Sequence, residues 1–427
     1  MRKLLLFLVL FFDLFPAISW ASTVTANSCS YSDVSSAVVN ALAGDTIVIP
    51  SCTASWTSTL TINKSITISG AGGGSTKIIN SGSNPFINIT LPSDVPVRIT
   101  GIYFDKVSNN GTDKYSITVS GQIKGSFGVT KIRIDHNTFN KGKRALYWMG
   151  WAYGVIDHNN FINCDIAVAP QGDDNYAWAR PILAGTANAL FIEDNTFTIN
   201  NNVEYEPNEQ IYHFSGARTV IRNNTFDART YTAGSSMFME SHGNINLYAG
   251  NNNDMRGQPL IELYNNNFYA YTTYRMIYLR GGSSLVYNNT MTTQSGSTAA
   301  IQLTEEEGWT SGGTFSPKPA ASAWPAQDQI NNSFFWNNTL NGSSVTNIVF
   351  NASQDSTFIQ QNRDYFMHAP QATGGMETYT GRAGGTMTFS SSGVNAYYPY
   401  TAYIYPHPLT GAPGTVILDP PSNLMVQ

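Results

Sequence analysis

One six-residue pattern, repeated seven times, constrains this chain more than any other feature of it. The pattern reads apolar, any, any, Asn, any, apolar, and its copies run 134–139, 156–161, 192–197, 221–226, 263–268, 286–291 and 335–340. The fourth place holds Asn137, Asn159, Asn195, Asn224, Asn266, Asn289 and Asn338; a weaker eighth copy ends at Asn362. Repetition on this scale means a solenoid, in which each unit buries its apolar face only against its neighbours. Asn suits the tight bend because it tolerates the left-handed backbone region. Stacked Asn side chains can also hydrogen-bond from coil to coil, which satisfies polar groups turned inward. Ile, Val and Phe alternate along the flanking segments, the period of β-structure.

A second strand is expected after each Asn turn. Its inward residues are Leu146 and Trp148, Ile166 and Val168, Ile211, Met237 and Met239, Ile277 and Leu279, Ile301 and Leu303, and Ile348 and Phe350. The long insertions follow this strand, before Asn195, Asn266 and Asn338; one modest insertion, between Asn195 and Ile211, falls elsewhere. A solenoid that gathers its insertions on one face commonly binds there.

Composition agrees with that reading. The 427 residues include 42 Asn and 36 Gly, while 42% hydrophobic and 12% aromatic residues supply a core and exclude a disordered chain. Lys and Arg number 23 against 28 Asp and Glu, so no basic footprint for nucleic acid exists. Residues 1–21 read as a secretory signal: Arg2 and Lys3, an apolar run, then Ser19-Trp20-Ala21. No later stretch is apolar enough to span a membrane. Export to the medium, periplasm or cell surface allows a Cys29–Cys52 disulfide, leaving Cys164 free and buried. The rest, residues 22–427, reads as one domain. A cap occupies about 29–50, with a helix over 30–44 started by Ser32 or Asp33, striped by Val34, Val38, Ala41 and Leu42, and stopped by Gly44. Coils fill about 60–370. A segment of about 371–427, rich in Tyr and Pro over 384–409, is expected to wrap the C-terminal end.

With these features in view, the chain resembles the secreted bacterial right-handed parallel β-helix proteins of the pectate-lyase-like class. The matching stretches are Ala43-Gly44-Asp45-Thr46-Ile47-Val48-Ile49-Pro50, Ile66-Thr67-Ile68-Ser69-Gly70-Ala71-Gly72, Gly101-Ile102-Tyr103-Phe104, the Asn repeats, and Tyr405-Pro406-His407-Pro408-Leu409. The resemblance covers nearly the whole mature chain. It implies an all-β fold of about ten coils with an N-terminal capping helix. It leaves the activity open, since such folds carry lyases, hydrolases, epimerases and binding proteins.

The candidate chemistry gathers at the ends of the insertion-bearing strands: Glu240-Ser241-His242-Gly243, Arg256 with Glu262, and Tyr278 with Arg280. If Met239 and Leu279 face inward, Glu240, Tyr278 and Arg280 face out on neighbouring coils about 5 Å apart. β-Elimination on a uronate needs a cation for the carboxylate, a base for the C5 proton and an acid for the leaving oxygen. Arg280 and Arg256 offer the first, His242 the second, and Tyr278 or Tyr248 the third. Glu240, Glu262, Tyr278 and Trp309 are expected substrate contacts, with Trp151, Tyr153, Tyr176, Trp178 and Trp324 as further insertion aromatics able to stack on sugars or pin loops. Asp173 and Asp174, with Glu305 in the run Glu305-Glu306-Glu307, are candidates to hold calcium, although their spacing lacks the alternation of a dedicated loop. His136 and His158 beside the Asn repeats read as a structural stack. The leading expectation is a monomeric lyase acting on an acidic polysaccharide. Its rivals are a non-catalytic glycan-binding surface protein and a polygalacturonase-like hydrolase, the latter disfavoured by the 68 residues between Asp174 and His242.

Overall fold

The computed structural model describes residues 21–80, 82–107, 115–122, 127–181, 183–203, 207, 209–233, 238–243, 256–296, 298–306, 328–351, 355–371, 378–380, 386–388 and 399–411. Residues 1–20, Met237, Tyr248, Glu307, Trp309 and Trp324 lie outside these, so the secretory signal and the side chains expected at those positions do too.

Each coil contributes three short strands, not two. The first lies before the Asn turn, as in Leu190–Glu193; the second follows it at once, as in Thr196–Thr198; the third, as in Ile211–His213, carries the chain to the next insertion. Stacked coil on coil, the described residues make a first sheet of 12 strands, a second of 11 and a third of 10. Neighbours pair in parallel throughout, apart from the short antiparallel turn between Thr339–Leu340 and Ser343–Ser344. The molecule is a parallel β-helix. The second strand escaped the sequence reading because three residues with one inward Phe carry too little periodicity.

That single Phe builds much of the core. Phe104, Phe139, Phe161, Phe197, Phe226 and Phe268 stack at centroid spacings of 5.3, 5.1, 4.8, 4.4 and 4.7 Å, the step between parallel strands. The third strands point Leu146, Val168, Ile211, Met239, Ile277 and Ile301 into the same core. Ile166 is an exception: it packs with Ala169, Phe214, Tyr147 and Tyr212 on the outer face of the third sheet.

The Asn residues form the ladder foreseen, but with a different division of labour. Positive φ is taken by the residue before each Asn: His136, His158, Asp194, Asn223, Asn265, Asn288 and Asn337. The ladder Asn is thereby turned inward. Asn224 Oδ1 accepts from the Asn195 N–H (3.0 Å) and Nδ2 (3.1 Å), while its own Nδ2 donates to Ile192 O, Arg222 O and Asn266 Oδ1. Asn362 is not a rung; it sits at positive φ in the turn before Tyr365–Phe366. Asn224→Ala leaves the buried Asn195 N–H without its acceptor and takes a donor from Ile192 O and from Arg222 O, so a loss of about 2–4 kcal/mol is expected, read as a lower urea midpoint. His136 and His158 stack at 5.0 Å, each with Nδ1 on the preceding Asp.

The cap is the helix Tyr31–Asn40, begun by Ser30, whose hydroxyl accepts from Asp33 N–H. Val34, Ala37 and Val38 face the core, whereas Leu42 lies beyond the helix and is exposed. Cys29 and Cys52 are disulfide-bonded, and Cys164 is buried. At the other end, residues 399–411 do not close the last coil. They run along the outer face of the first sheet. Arg222 donates to Tyr403 O and Ile404 O, Glu193 accepts from His407 N–H, and Arg133 donates to Thr410 O. That face carries charged and aromatic rows that need partners, which the strap supplies.

Candidate active site

The insertions leave from the ends of the third-sheet strands, and the candidate residues meet there. In register, Tyr212, Glu240, Tyr278 and Gln302 form one row across the strands Ile211–His213, Met239–Ser241, Arg275–Leu279 and Ala299–Leu303. His242, Arg280 and Glu306 follow at the strand ends. A Cβ on Gly243 would collide with the carbonyl oxygens of Arg280 and Glu306, which explains the glycine after His242.

His242 Nδ1 lies 2.9 Å from Glu306 Oε2 and 3.2 Å from Arg280 Nη1, and its Nε2 faces Glu240 Oε1 at 3.7 Å. Arg280 pairs with Glu240 and, at 3.3 Å, with Glu306, while its guanidinium carbon sits 4.5 Å from the Tyr278 ring centre. Gly243 N–H donates to Glu306 at 2.9 Å. Glu240, His242, Arg280 and Glu306 are all buried. Burial pushes the Glu306 carboxyl up, but His242 and Arg280 outweigh it and hold Glu306 below its ordinary value. An ionised Glu306 fixes the His242 proton on Nδ1 and leaves Nε2 free to accept another.

Two tyrosines flank the pair. Burial pushes Tyr278 up to about 12, and its hydroxyl bonds to Thr304, which donates to Asp355 at 2.9 Å. Its proton is therefore committed inward. Tyr212 stands edge-on to His242, ring centroids 4.8 Å apart, and burial raises its pKa, so it keeps its proton at neutral pH. Tyr212 and Glu306 were not assigned these places from sequence. Extending the outward row one coil back from Glu240 finds Tyr212; the contact of Glu306 with a residue 64 positions away leaves no local signal.

The other expected residues are held by partners of their own, Arg256 at the edge of this cluster, where Gly257 packs on His242 and Gly243. Arg256 is buried against Asp328, its Nε donating at 2.7 Å, and stacks on Trp178 at 4.4 Å. Gly257 N–H donates to the same Asp328, and Trp178 Nε1 to Gly257 O, so this group anchors the insertion. Glu262 belongs to the first sheet, where it accepts from the Tyr400 hydroxyl (2.5 Å) and Gly185 N–H (2.9 Å); burial raises its pKa. Trp151 and Arg180 stack at 4.3 Å, and Tyr153 is buried. Asp173 is already held by Arg180, Asp174 accepts from Arg256 N–H, and Glu305 from Ile330 N–H. Among the described residues no three His, Cys, Asp or Glu side chains are grouped to hold a metal ion. The acids expected to bind calcium are already engaged by donors of the protein itself.

No family model matches the chain, and no curated protein does. Solved structures similar to it include a PL6 family alginate lyase at 13% identity and TM-score 0.39, covering 65% of this chain and 41% of that one. An alginate lyase from Paenibacillus sp. str. FPU-7 matches at 14% and 0.38, covering 81% and 98%. A mannuronic acid specific polysaccharide family 6 lyase from human gut microbiota matches at 15% and 0.43, covering 81% and 87%.

Proposed function

We propose that the protein is a polysaccharide lyase that cleaves a uronic-acid-containing glycan by β-elimination. The observation that carries this reading is the 2.9 Å contact of His242 Nδ1 with Glu306, beside Arg280 and Tyr212 on adjoining coils. The C5–H bond breaks and its proton passes to His242 Nε2. The electron pair forms the C4–C5 double bond, the C4–O bond breaks, and the departing oxygen takes the Tyr212 hydroxyl proton. Arg280, the cation beside His242, faces the negative charge that builds on the uronate carboxyl group.

Hydrolysis is less well served. An inverting hydrolase separates its carboxyls by about 6.5–9.5 Å to admit sugar and water, whereas Glu240 and Glu306 both grip one guanidinium. The protein is taken to act as a monomer outside the cytoplasm, after loss of residues 1–21. Among the described residues no helix is long and apolar enough to cross a membrane.

Pectate, alginate and glycosaminoglycans, each with and without Ca²⁺, test the reading. One of them is expected to give near-ultraviolet absorbance from an unsaturated uronate. Binding with neither absorbance nor new chain ends would make the protein a glycan-binding module instead.

A further inference from the structure

The cations nearest His242 are already engaged: Arg280 by Glu240 and Glu306, and Arg275 by Gln302 at 2.6 Å. With Glu240 and Glu306 both beside its guanidinium, Arg280 has less pull to spare for an incoming carboxylate, and the further carboxylates of a long acidic chain meet the protein elsewhere along the groove.

Arg144 offers them a cation. It opens the third-sheet strand Arg144–Met149 and is half-buried, its guanidinium carbon 5.2 Å from the Tyr147 ring centre and 5.8 Å from that of Phe214. Among the described residues no carboxylate pairs with it, and its buried Nε has no hydrogen-bond partner. Rings beside a guanidinium hold its plane while leaving the N–H edge available for two-pronged carboxylate binding. Beside it the Tyr147 hydroxyl donates to Gln171, fixing a polar rim.

The same rings lead to the reaction centre. Tyr147 contacts Phe214 at 6.5 Å, Phe214 contacts Tyr212 at 5.3 Å, and Tyr212 contacts His242 at 4.8 Å. Arg144 and His242 are anchored on strands three coils apart. Arg144 opens its strand and His242 lies past the end of its own, so the line joining them crosses the third sheet obliquely; from the Arg144 guanidinium by way of Phe214 and Tyr212 to His242 the steps are 5.8, 5.3 and 4.8 Å, room for three sugars at about 5 Å each.

We propose that Arg144, with Tyr147 and Gln171, is a second carboxylate-binding subsite, which takes a uronate about three sugars along the chain from the unit at His242. The proposal deepens the lyase reading and rests on it for the direction of the glycan. It makes the protein selective for polyuronates over glycans with isolated acidic units.

The test is calorimetric binding of oligogalacturonates and oligomannuronates of two to six units, and of their carboxyl-reduced forms, to wild type, R144Q and R144K. Wild-type affinity is expected to rise by about tenfold between three and four units, as a charge-assisted pair forms. R144Q should lose that step while binding dimers normally, R144K should recover only part of it, and reduced oligomers should show no step in any protein. Unchanged thermal midpoints keep the comparison fair. A folded R144Q that retains the step, or an equal loss with reduced oligomers, overturns the subsite. If tetramers bind with the Arg144-dependent step but are not cut, the subsite stands and the lyase reading falls. If R144Q cuts long chains with wild-type KM, the lyase reading stands and the subsite falls. Failure of every oligomer to bind wild type overturns both.

Discussion

His242→Ala is expected to lower kcat by about 10²–10⁴-fold, the usual worth of a positioned proton-transfer group, with KM changed little. The reason lies in the geometry around Nδ1. Glu306 accepts that nitrogen's proton at 2.9 Å, so Nε2 is the only nitrogen left to take a proton from substrate. Glu306→Gln keeps the shape but removes the charge that fixes the tautomer, and a smaller fall in kcat is expected. The two variants also part company in acid. Glu306 is held below its ordinary value by His242 and Arg280, against the upward push of burial. Its stabilising contribution is therefore full above the unfolded carboxylate value of about 4.3 and is lost as pH falls through the lower folded value. Wild type should show that acid-side loss in a urea midpoint series, and Glu306→Gln should lack it. Were His242 only a structural cap, His242→Ala would lower the melting temperature and leave turnover per folded molecule intact.

The fold was legible because it repeats. Seven Asn at one place in a six-residue pattern identify a ladder before any strand is assigned, and alternate Ile and Phe give the inward faces. Legibility stops where a feature occurs once or where no single residue type marks it. The positive-φ residue before each Asn varies among His, Asp and Asn, so no letter marks it. For the strap at 399–411 the sequence offers only proximity to the C-terminus, which suggests an end cover. Its partners Arg222 and Glu193 are some two hundred residues away in sequence. The site divides the same way. Glu240, His242, Tyr278 and Arg280 followed from strand parity at the insertion-bearing ends, a property of the repeat. Glu262 has the opposite fate, since register places it in the first sheet opposite Val220 and Leu285, away from the row of Glu240 and Tyr278. The partner of Arg256, Asp328, had no local signal because it belongs to another insertion 72 residues on.

That pair yields the largest expected effect on stability. Asp328 is buried and accepts from Arg256 through one oxygen and from Gly257 N–H through the other. Asp328→Ala leaves a buried guanidinium without its counter-charge and an N–H without an acceptor, which should destabilise by about 3–5 kcal/mol. Replacing both charges together, as Arg256→Met with Asp328→Leu, removes the stranded charge as well as the attraction. Desolvation of two ions offsets most of what their pairing contributes, so the double variant should recover much of the loss. Denaturant midpoints of the wild type, Arg256→Met, Asp328→Leu and the double variant close the cycle, with coupling energy as the readout. Trp178 adds a local reporter, because its ring packs 4.4 Å from the Arg256 guanidinium and should change fluorescence in the single variants. A catalytic Arg256 predicts the reverse: Asp328→Ala would keep the wild-type midpoint, and the double variant would fold as well as wild type but bind or cut uronate oligomers no better than Arg256→Met alone.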